Sequence, residues 1–126
     1  MTKETITFSP RELDVLKILV NSSEPMTYTD IVNSSHNSLK QPTVLVVLRK
    51  LLKNRYVEVA GITHSANVLS RTYVATKLAH NDIIKYYATL YQPFISVLGL
   101  SPLIKLIVSS LDEDTKKKLL TEVKEL

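Results

Sequence analysis

Residues 40–55 carry the side chains with the clearest chemical potential in this chain. The stretch, KQPTVLVVLRKLLKNR, holds five cationic residues and no acidic one. The cations are Lys40, Arg49, Lys50, Lys53 and Arg55. The apolar residues Val44, Val47, Leu48 and Leu51 recur at helical spacing, which predicts a helix with one apolar stripe and an opposite basic face. A helix of this kind is suited to lie against a polyanion.

The other titratable residues do not indicate an active site. His36, His64 and His80 lie in separate segments, without the spacing of metal ligands. The acidic cluster 112–114 stands where a helix is predicted to begin, and the helix dipole explains it. The chain has no cysteine and only two glycines, which excludes thiolate chemistry and a glycine-rich phosphate loop. We therefore expect no enzyme, no metal and no cofactor.

The overall composition limits the size and the class of the protein. A chain of 126 residues with 44% apolar content is one ordinary domain, or a small domain with an appendage. The net charge of +4 is only mildly basic, so the local clustering of charge carries the argument. The most apolar region, residues 83–108, is interrupted by charged residues and prolines and is a poor membrane span. Residues 1–7 lack the apolar core of a signal peptide, so we expect a cytoplasmic protein.

Two helices and a β-hairpin are predicted around the basic helix. Residues 9–12 (SPRE) form a capping box, and the helix that follows should bury Leu13, Leu16, Leu19 and Val20. Residues 27–30 (TYTD) begin a second helix. Residues 56–59 and 69–75 read as strands, with a turn inside 61–67. This order predicts a winged helix-turn-helix domain over residues 1–76.

Residues 77–126 should be helical throughout. A helix over 80–98 should kink or split at Pro93, and Gly99 should end it. A further helix restarts at residues 101–102, and Asp112 caps the last one. Three short helices cannot hide this much apolar surface in one another, so we expect a symmetric homodimer formed through this helical arm. The predicted dimerisation residues are Tyr87, Leu90, Tyr91, Phe94, Leu98, Leu103, Ile107 and Leu120.

The basic helix is expected to enter the major groove of double-stranded DNA. Its N-terminal residues would meet the bases, and the cations at its two ends would reach backbone phosphates. In the wing, Arg71 would add a contact beside His64 and Asn67, although pairing of Arg71 with Glu58 is an equally good interpretation. The predicted DNA-binding residues are Lys40, Gln41, Thr43, Leu45, Val46, Arg49, Lys50, Lys53, Arg55 and Arg71.

Several segments resemble one known family of regulators. They are residues 9–16 (SPRELDVL), 26–32 (MTYTDIV), 43–44 (TV), 48–53 (LRKLLK), 57–59 (VEV) and 71–73 (RTY). Together they resemble the penicillinase-repressor family, which includes the methicillin-resistance and copper-responsive repressors. The resemblance implies a dimeric winged-helix repressor that binds a palindromic operator. It maps Gln41, Thr43, Leu45, Val46, Arg49 and Lys50 onto the reading helix and assigns dimerisation to the C-terminal helices.

Three departures from that family leave the release mechanism open. Leu45 and Val46 stand where relatives often have polar or basic residues. Residues 103–109 (LIKLIVS) lack the Asn-Phe bond at which some of these repressors are cleaved, and no cysteine pair is present to sense copper. Two other functions therefore stay open. One is a winged-helix module that binds a protein through Leu45 and Val46. The other is a ligand-responsive regulator with a pocket around Tyr87, Tyr91 and Phe94.

Overall fold

The computed structural model describes residues 5–65 and 68–126. Seven α-helices, a short 3₁₀ helix and two antiparallel strands follow one another along this part of the chain. In order they are α1 (Pro10–Asn21), α2 (Tyr28–Ser34), α3 (Gln41–Lys53), β1 (Val57–Ser65), β2 (Val68–Ala75), α4 (Lys77–Tyr91), the 3₁₀ helix (Gln92–Phe94), α5 (Ile95–Leu98), α6 (Ser101–Ser109) and α7 (Glu113–Lys124). The protein is thus mainly helical with a single described hairpin, as the sequence predicts.

Helices α1 and α2 begin at complete capping boxes. The Ser9 hydroxyl accepts a hydrogen bond from the Glu12 backbone N–H at 3.2 Å, and the Glu12 carboxylate accepts one from the Ser9 N–H at 2.9 Å. Thr27 and Asp30 exchange the same pair of bonds at the start of α2. Each box satisfies two backbone donors that a helix start leaves unpaired. Both predicted helix starts are confirmed.

The core of the first part of the chain is built around α3. Its four predicted stripe residues are all buried: Val44, Val47, Leu48 and Leu51. In α1, the prediction is correct for Leu16 and Leu19 but wrong for Val20, which is 40% exposed, while Val15 is fully buried in its place. Leu13 lies at the margin of the core. The buried arc of α1 is therefore rotated toward Val15, because α3 and the sheet cover that side.

The wing is longer than predicted. Strand β1 extends through Ser65, so the expected turn over 61–67 is wrong for its first five residues; Ala66 and Asn67 lie outside the described residues. A β-bulge between Val59 and Gly61 accommodates one extra residue in β1. On its other edge, β2 is bonded to Met26, whose N–H and C=O both pair with Tyr73. The hairpin is thus anchored to the segment between α1 and α2.

The first turns of α4 pack onto the same core. Ala79 is fully buried, and the Tyr56 hydroxyl donates a 2.8 Å hydrogen bond to the carboxylate of Asp82, which is itself buried. The Phe8 ring lies between Tyr56 and Tyr86, with centroid distances of 5.0 and 5.4 Å. The chain divides into two compact units, of which the first ends at Ala88 and the second is Thr89–Leu126. We refer to the first unit as the head.

The second unit contains only short helices. Pro93 lies in the 3₁₀ helix and interrupts the long predicted helix, and Gly99 ends α5 with a φ of 75°, a conformation that suits glycine. Asp112 caps α7 by accepting the Thr115 N–H at 2.7 Å. These three predictions are confirmed. Within residues 5–65 and 68–126, no single helix is long and apolar enough to cross a membrane; only the bent pair 77–98 and 101–109, taken together, reaches such a length and composition.

Candidate nucleic-acid interface

Helix α3 presents its basic side to solvent. Because the four stripe residues are buried, the opposite face is fixed outward, with Arg49, Lys50 and Lys53 all exposed. Gln41 is exposed at the N-terminal end, and Thr43 is half-buried. The two aliphatic residues of this face are also accessible: Leu45 is 37% exposed and Val46 is 49% exposed. The protein itself does not cover them, so they are free to meet a partner.

The cations around α3 have no acidic partner in the part of the chain that the structure describes. Its ion pairs join Arg11 to Asp14 and Lys116 to Glu113, both far from α3 in sequence. Five of these unpaired cations lie on or beside α3, and the sixth is in β2: Lys40, Arg49, Lys50, Lys53, Arg55 and Arg71. Uncompensated positive charge attracts polyanions and accelerates their association.

The start of α3 differs from the starts of α1 and α2. Its N-cap is Lys40, whose side chain makes no capping hydrogen bond, and its first turn contains no acidic residue. The first backbone N–H groups of α3 are therefore not satisfied by a side chain of the helix itself. Such a helix start is a favourable position for a phosphate oxygen. The missing cap is thus consistent with an external anionic partner.

The other end of α3 is held by an unusual backbone conformation. Arg55 has a φ of 65°, in the left-handed region, and its carbonyl oxygen accepts a 2.7 Å hydrogen bond from the Thr76 hydroxyl. This bond ties the α3–β1 corner to the start of α4. The Arg55 side chain is exposed there. The sequence offered no signal for this corner, since arginine seldom adopts a positive φ.

The strand register excludes one of the two interpretations of Arg71, and its contact with DNA stays a prediction. Arg71 lies opposite Ile62, whereas Glu58 lies opposite Val74. Since side chains alternate between the faces of a strand, Arg71 and Glu58 project from opposite faces of the hairpin. The alternative in which they pair is therefore wrong, and Arg71 is exposed. His64 is exposed on the face of Arg71; Asn67 lies outside the described residues.

The predicted dimerisation residues are accessible on the single chain. Tyr91 and Leu103 are half-buried, and the Tyr91 hydroxyl donates a hydrogen bond to the Gly99 carbonyl oxygen. The other six are exposed: Tyr87, Leu90, Phe94, Leu98, Ile107 and Leu120. The sequence reasoning missed further exposed apolar residues, among them Val97 at 83% and Leu106 at 72%. Their role in dimerisation stays a prediction, for which exposed apolar side chains in such numbers are typical.

Tyr87 also lines a cavity of about 510 Å³ between α1 and α4. Its other lining residues are Pro10, Leu13, Asp14, Lys17, Val20, Asn21 and Ile83. The cavity is thus formed by Tyr87 with α1, and neither Tyr91 nor Phe94 lines it, in contrast to the pocket expected from sequence. Across the described ranges, no group of three or more His, Asp or Glu side chains comes together as metal ligands.

Comparison with known proteins identifies the fold. No protein-family model matches this chain, and no curated protein matches it. Solved structures do match. A Staphylococcus aureus MepR–DNA complex is 14% identical with a TM-score of 0.54, over 93% of this chain and 77% of that one. The transcriptional regulator PA3341 is 17% identical with a TM-score of 0.52, over 91% and 73%.

A PadR family transcription regulator from hypervirulent Clostridium difficile R20291 is 13% identical, with a TM-score of 0.52 over 70% of this chain and 96% of that one. At such low identities these likenesses establish architecture alone. They support a winged helix of the kind found in transcription regulators in general, and they do not single out the penicillinase-repressor family. The predicted fold class is confirmed: this chain is a winged helix-turn-helix protein with a C-terminal helical region.

Proposed function

We propose that this protein is a DNA-binding transcriptional regulator, acting in the cytoplasm as a repressor. The observation that carries the proposal is the outward face of α3, where unpaired cations stand on a helix whose opposite face is locked into the core. A rigid cationic helix of this size fits the major groove of B-form DNA. The solved MepR–DNA complex, which has the same fold, is a further support.

Two kinds of contact would determine the affinity for DNA, those with phosphates and those with bases. Lys40, Lys53 and Arg55 would contact phosphates and supply affinity that falls steeply with salt. Gln41, Thr43, Arg49 and Lys50 would face base edges, each good pair being worth about 1–3 kcal/mol of discrimination. Leu45 and Val46 would pack on thymine methyl groups, which are the apolar features of the major groove.

The proposed molecule is a homodimer. Residues 1–76 would read the DNA and residues 77–126 would dimerise, burying the apolar residues exposed on the single chain. Two-fold symmetry would then require an inverted-repeat operator whose half-site spacing is fixed by the dimer. Membership of the penicillinase-repressor family is part of this proposal and rests on the sequence resemblance over residues 9–59.

Replacing Arg49 and Lys53 by alanine tests the role of α3. We expect weaker binding, because Arg49 would no longer contact a base edge, and a shallower dependence of log K on log salt, because loss of the Lys53 phosphate contact removes about 0.9 from the slope. The measurement is a gel-shift titration at several salt concentrations, on a sequence selected from a random DNA pool. The matched control is Lys117→Ala with Lys118→Ala, which removes two exposed cations from α7. An unchanged slope in the α3 variant would exclude this helix from the interface.

Because Leu45 and Val46 are accessible, the outward face of α3 could bind a protein instead of DNA. Affinity for random duplex DNA at low salt separates the two, because nonspecific binding depends on charge alone. A DNA regulator should bind with a Kd of about 10⁻⁴ M or lower, since nonspecific Kd values of such proteins are typically about 10⁻⁴–10⁻⁶ M even at physiological salt. Weaker binding would favour a protein partner for the same face.

The α1–α4 cavity supports a second candidate function, regulation by a small molecule. Its lining combines aliphatic side chains of Leu13, Val20 and Ile83 with the Tyr87 ring, a suitable environment for a lipophilic aromatic molecule. A solved MepR structure is described as bound to ethidium bromide. Ethidium should therefore raise the Tm of the DNA-free protein, and Tyr87→Leu should reduce that shift. No shift in the wild-type protein would remove this candidate.

A further inference from the structure

A second cavity in the head, of about 720 Å³, lies between α1 and the end of α2. We call it the α1–α2 groove. All of its lining residues fall between positions 14 and 39, so α4 and the second unit contribute nothing to it. It shares Asp14, Lys17 and Asn21 with the α1–α4 cavity but has its own floor and its own second wall. Its size is within the range of about 300–1,000 Å³ that is usual for small-molecule sites.

The floor of the α1–α2 groove is apolar. Leu39, which immediately precedes the N-cap of α3, is 2% exposed and belongs to the buried cluster. Ile18 of α1 and Met26 are half-buried and pack against the same cluster. A ligand in the groove can therefore place an apolar group on the margin of the core, where its burial would be favourable.

The polar walls of the groove offer mainly hydrogen-bond acceptors. Three serine hydroxyls already donate their protons to backbone carbonyl oxygens, at 2.6, 2.6 and 2.8 Å for Ser22, Ser35 and Ser38. Each of these hydroxyl oxygens keeps at least one lone pair that can accept a further bond. The amide nitrogen of Asn21 donates to the Lys17 carbonyl oxygen at 2.7 Å, which leaves the amide oxygen as an acceptor. A group with several donors, such as an ammonium, matches these walls.

The charges of the groove add a site for an anion. Lys17 is exposed and forms no ion pair within residues 5–65 and 68–126. The Asp14 carboxylate is instead 3.6 Å from the guanidinium of Arg11, which also donates a 3.2 Å hydrogen bond to the Ser38 carbonyl oxygen. Arg11 thus ties α1 to the turn before α3, and the Lys17 ammonium stays available to a carboxylate of a ligand.

We propose that the α1–α2 groove binds a small zwitterion with an apolar body, that is, an apolar amino acid or a dipeptide of such residues. Its ammonium would donate to the acceptors of the walls, its carboxylate would pair with Lys17, and its side chain would lie on Ile18, Met26 and Leu39. The proposed function names no ligand of this class. A bound molecule would also fix the turn that leads into α3, and this consequence for DNA binding rests on the proposed function.

The first test compares ligands that differ by one charged group. Isothermal titration of the DNA-free protein with L-leucine and with L-leucyl-L-leucine should give saturable binding of at least one of them, and the tighter one identifies the source. The leucine analogue 4-methylpentanoate lacks the ammonium, and isoamylamine lacks the carboxylate. We expect each to bind at least about tenfold more weakly, the scale of a lost hydrogen bond to a charged group. Equal affinity of either analogue, or no binding of both zwitterions, would overturn the proposal.

The second test locates the ligand. Ser34 is exposed and lines the groove, so Ser34→Tyr should obstruct it and weaken binding of the zwitterion at least about tenfold. Asn33→Tyr introduces the same ring at the preceding exposed position, which does not line the groove, and should bind normally. Lys17→Met should weaken the binding of leucine but not that of isoamylamine, which has no carboxylate. Equal leucine affinity in Ser34→Tyr and Asn33→Tyr would contradict this location.

The third test concerns the consequence for DNA. In a gel-shift titration on the selected operator, a saturating concentration of the tighter zwitterion should change the Kd for DNA, and Ser34→Tyr should remove that change. Ligand binding without any change in the Kd would refute the regulatory role of the groove. If the protein binds no DNA in the absence of ligand, the proposed function fails, while the titrations with DNA-free protein still decide whether the groove binds a zwitterion.

Discussion

The head and the second unit contain similar fractions of aliphatic residues but bury them very differently. In the head, thirteen apolar residues form a single buried cluster, and nine of them are no more than 2% exposed. In residues 89–126, no residue is buried, although all of them are described. Amphipathic patterning alone therefore does not produce a core. The difference lies in how many elements can cover one another.

The head closes because its elements come from distant parts of the chain. Three helices, a hairpin and the first turns of α4 all contribute to one cluster, so each apolar stripe has neighbours on several sides. After the 3₁₀ turn, the second unit has three helices, of four, nine and twelve residues, and no strand. So few elements do not enclose a core, and we expect a second chain to cover their apolar side chains.

The largest expected effect contrasts a buried leucine with an exposed one. Leu51→Ala should lower the free energy of unfolding by about 2–5 kcal/mol, because it leaves a cavity in the head. Leu106→Ala removes the same atoms from a 72% exposed position and should change it by no more than about 0.5 kcal/mol in dilute, monomeric protein. Urea denaturation over a range of protein concentrations measures both. Equal losses in the free energy of unfolding would mean that Leu106 is buried as well as Leu51 is.

The next largest effect is expected on the dissociation constant of the proposed dimer, in which a second chain would cover the second unit. Leu98→Asp places a charge on the predicted dimer surface and should raise the dimer Kd by at least about a hundredfold, since one leucine is no longer buried productively in each subunit. Sedimentation equilibrium gives the Kd directly. Ser96→Asp adds the same charge at an exposed polar position two residues away and serves as the control. A wild-type chain that stays monomeric at high concentration would contradict the dimer.

The smallest expected effect is a pH dependence of the stability of α7, which has a carboxylate at its N-cap where α1 has a hydroxyl. The Thr115 side chain and backbone N–H lower the pKa of Asp112 below its usual 3.8. The stabilisation of α7 is therefore complete above pH 3.8 and is lost as the pH falls through the lower folded pKa. The side chain at the N-cap of α1 is instead the Ser9 hydroxyl, which is uncharged.

Two-dimensional NMR checks this last expectation through the Thr115 amide signal during acid titration. Asp112→Asn keeps a capping oxygen and should abolish the pH dependence of that signal. A Thr115 amide that titrates alike in the variant and the wild type would show that another group is responsible.

Local sequence signals predicted most of the helix boundaries. The boxes at Ser9 and Thr27, the break at Pro93 and the cap at Gly99 depend on hydrogen bonds and dihedral angles within a few residues. The buried residues of α3 could likewise be predicted from the sequence, because they recur at helical spacing. The basic face followed from that stripe, since the two sides of one helix are not independent.

Long-range packing decided what the local signals could not. Val15 replaces Val20 in the core because the direction from which α3 and the sheet approach is a property of the assembled head. The position of the bulge in β1 sets which residues face Arg71, and a shift of one residue would have placed Glu58 and Arg71 on the same face. The Tyr56–Asp82 bond joins residues 26 positions apart, which no local pattern encodes.

The amino-acid sequence by itself determined where the helices begin and end and that α3 has one basic face, because those features depend on neighbouring residues. Only the tertiary structure decided which apolar residues are covered and which stay exposed, such as Ile62 and Leu69 in the hairpin, and that no residue of 89–126 is buried. The physical reason is that burial depends on what lies opposite a side chain in space, and strand register and helix packing set that relation across the chain.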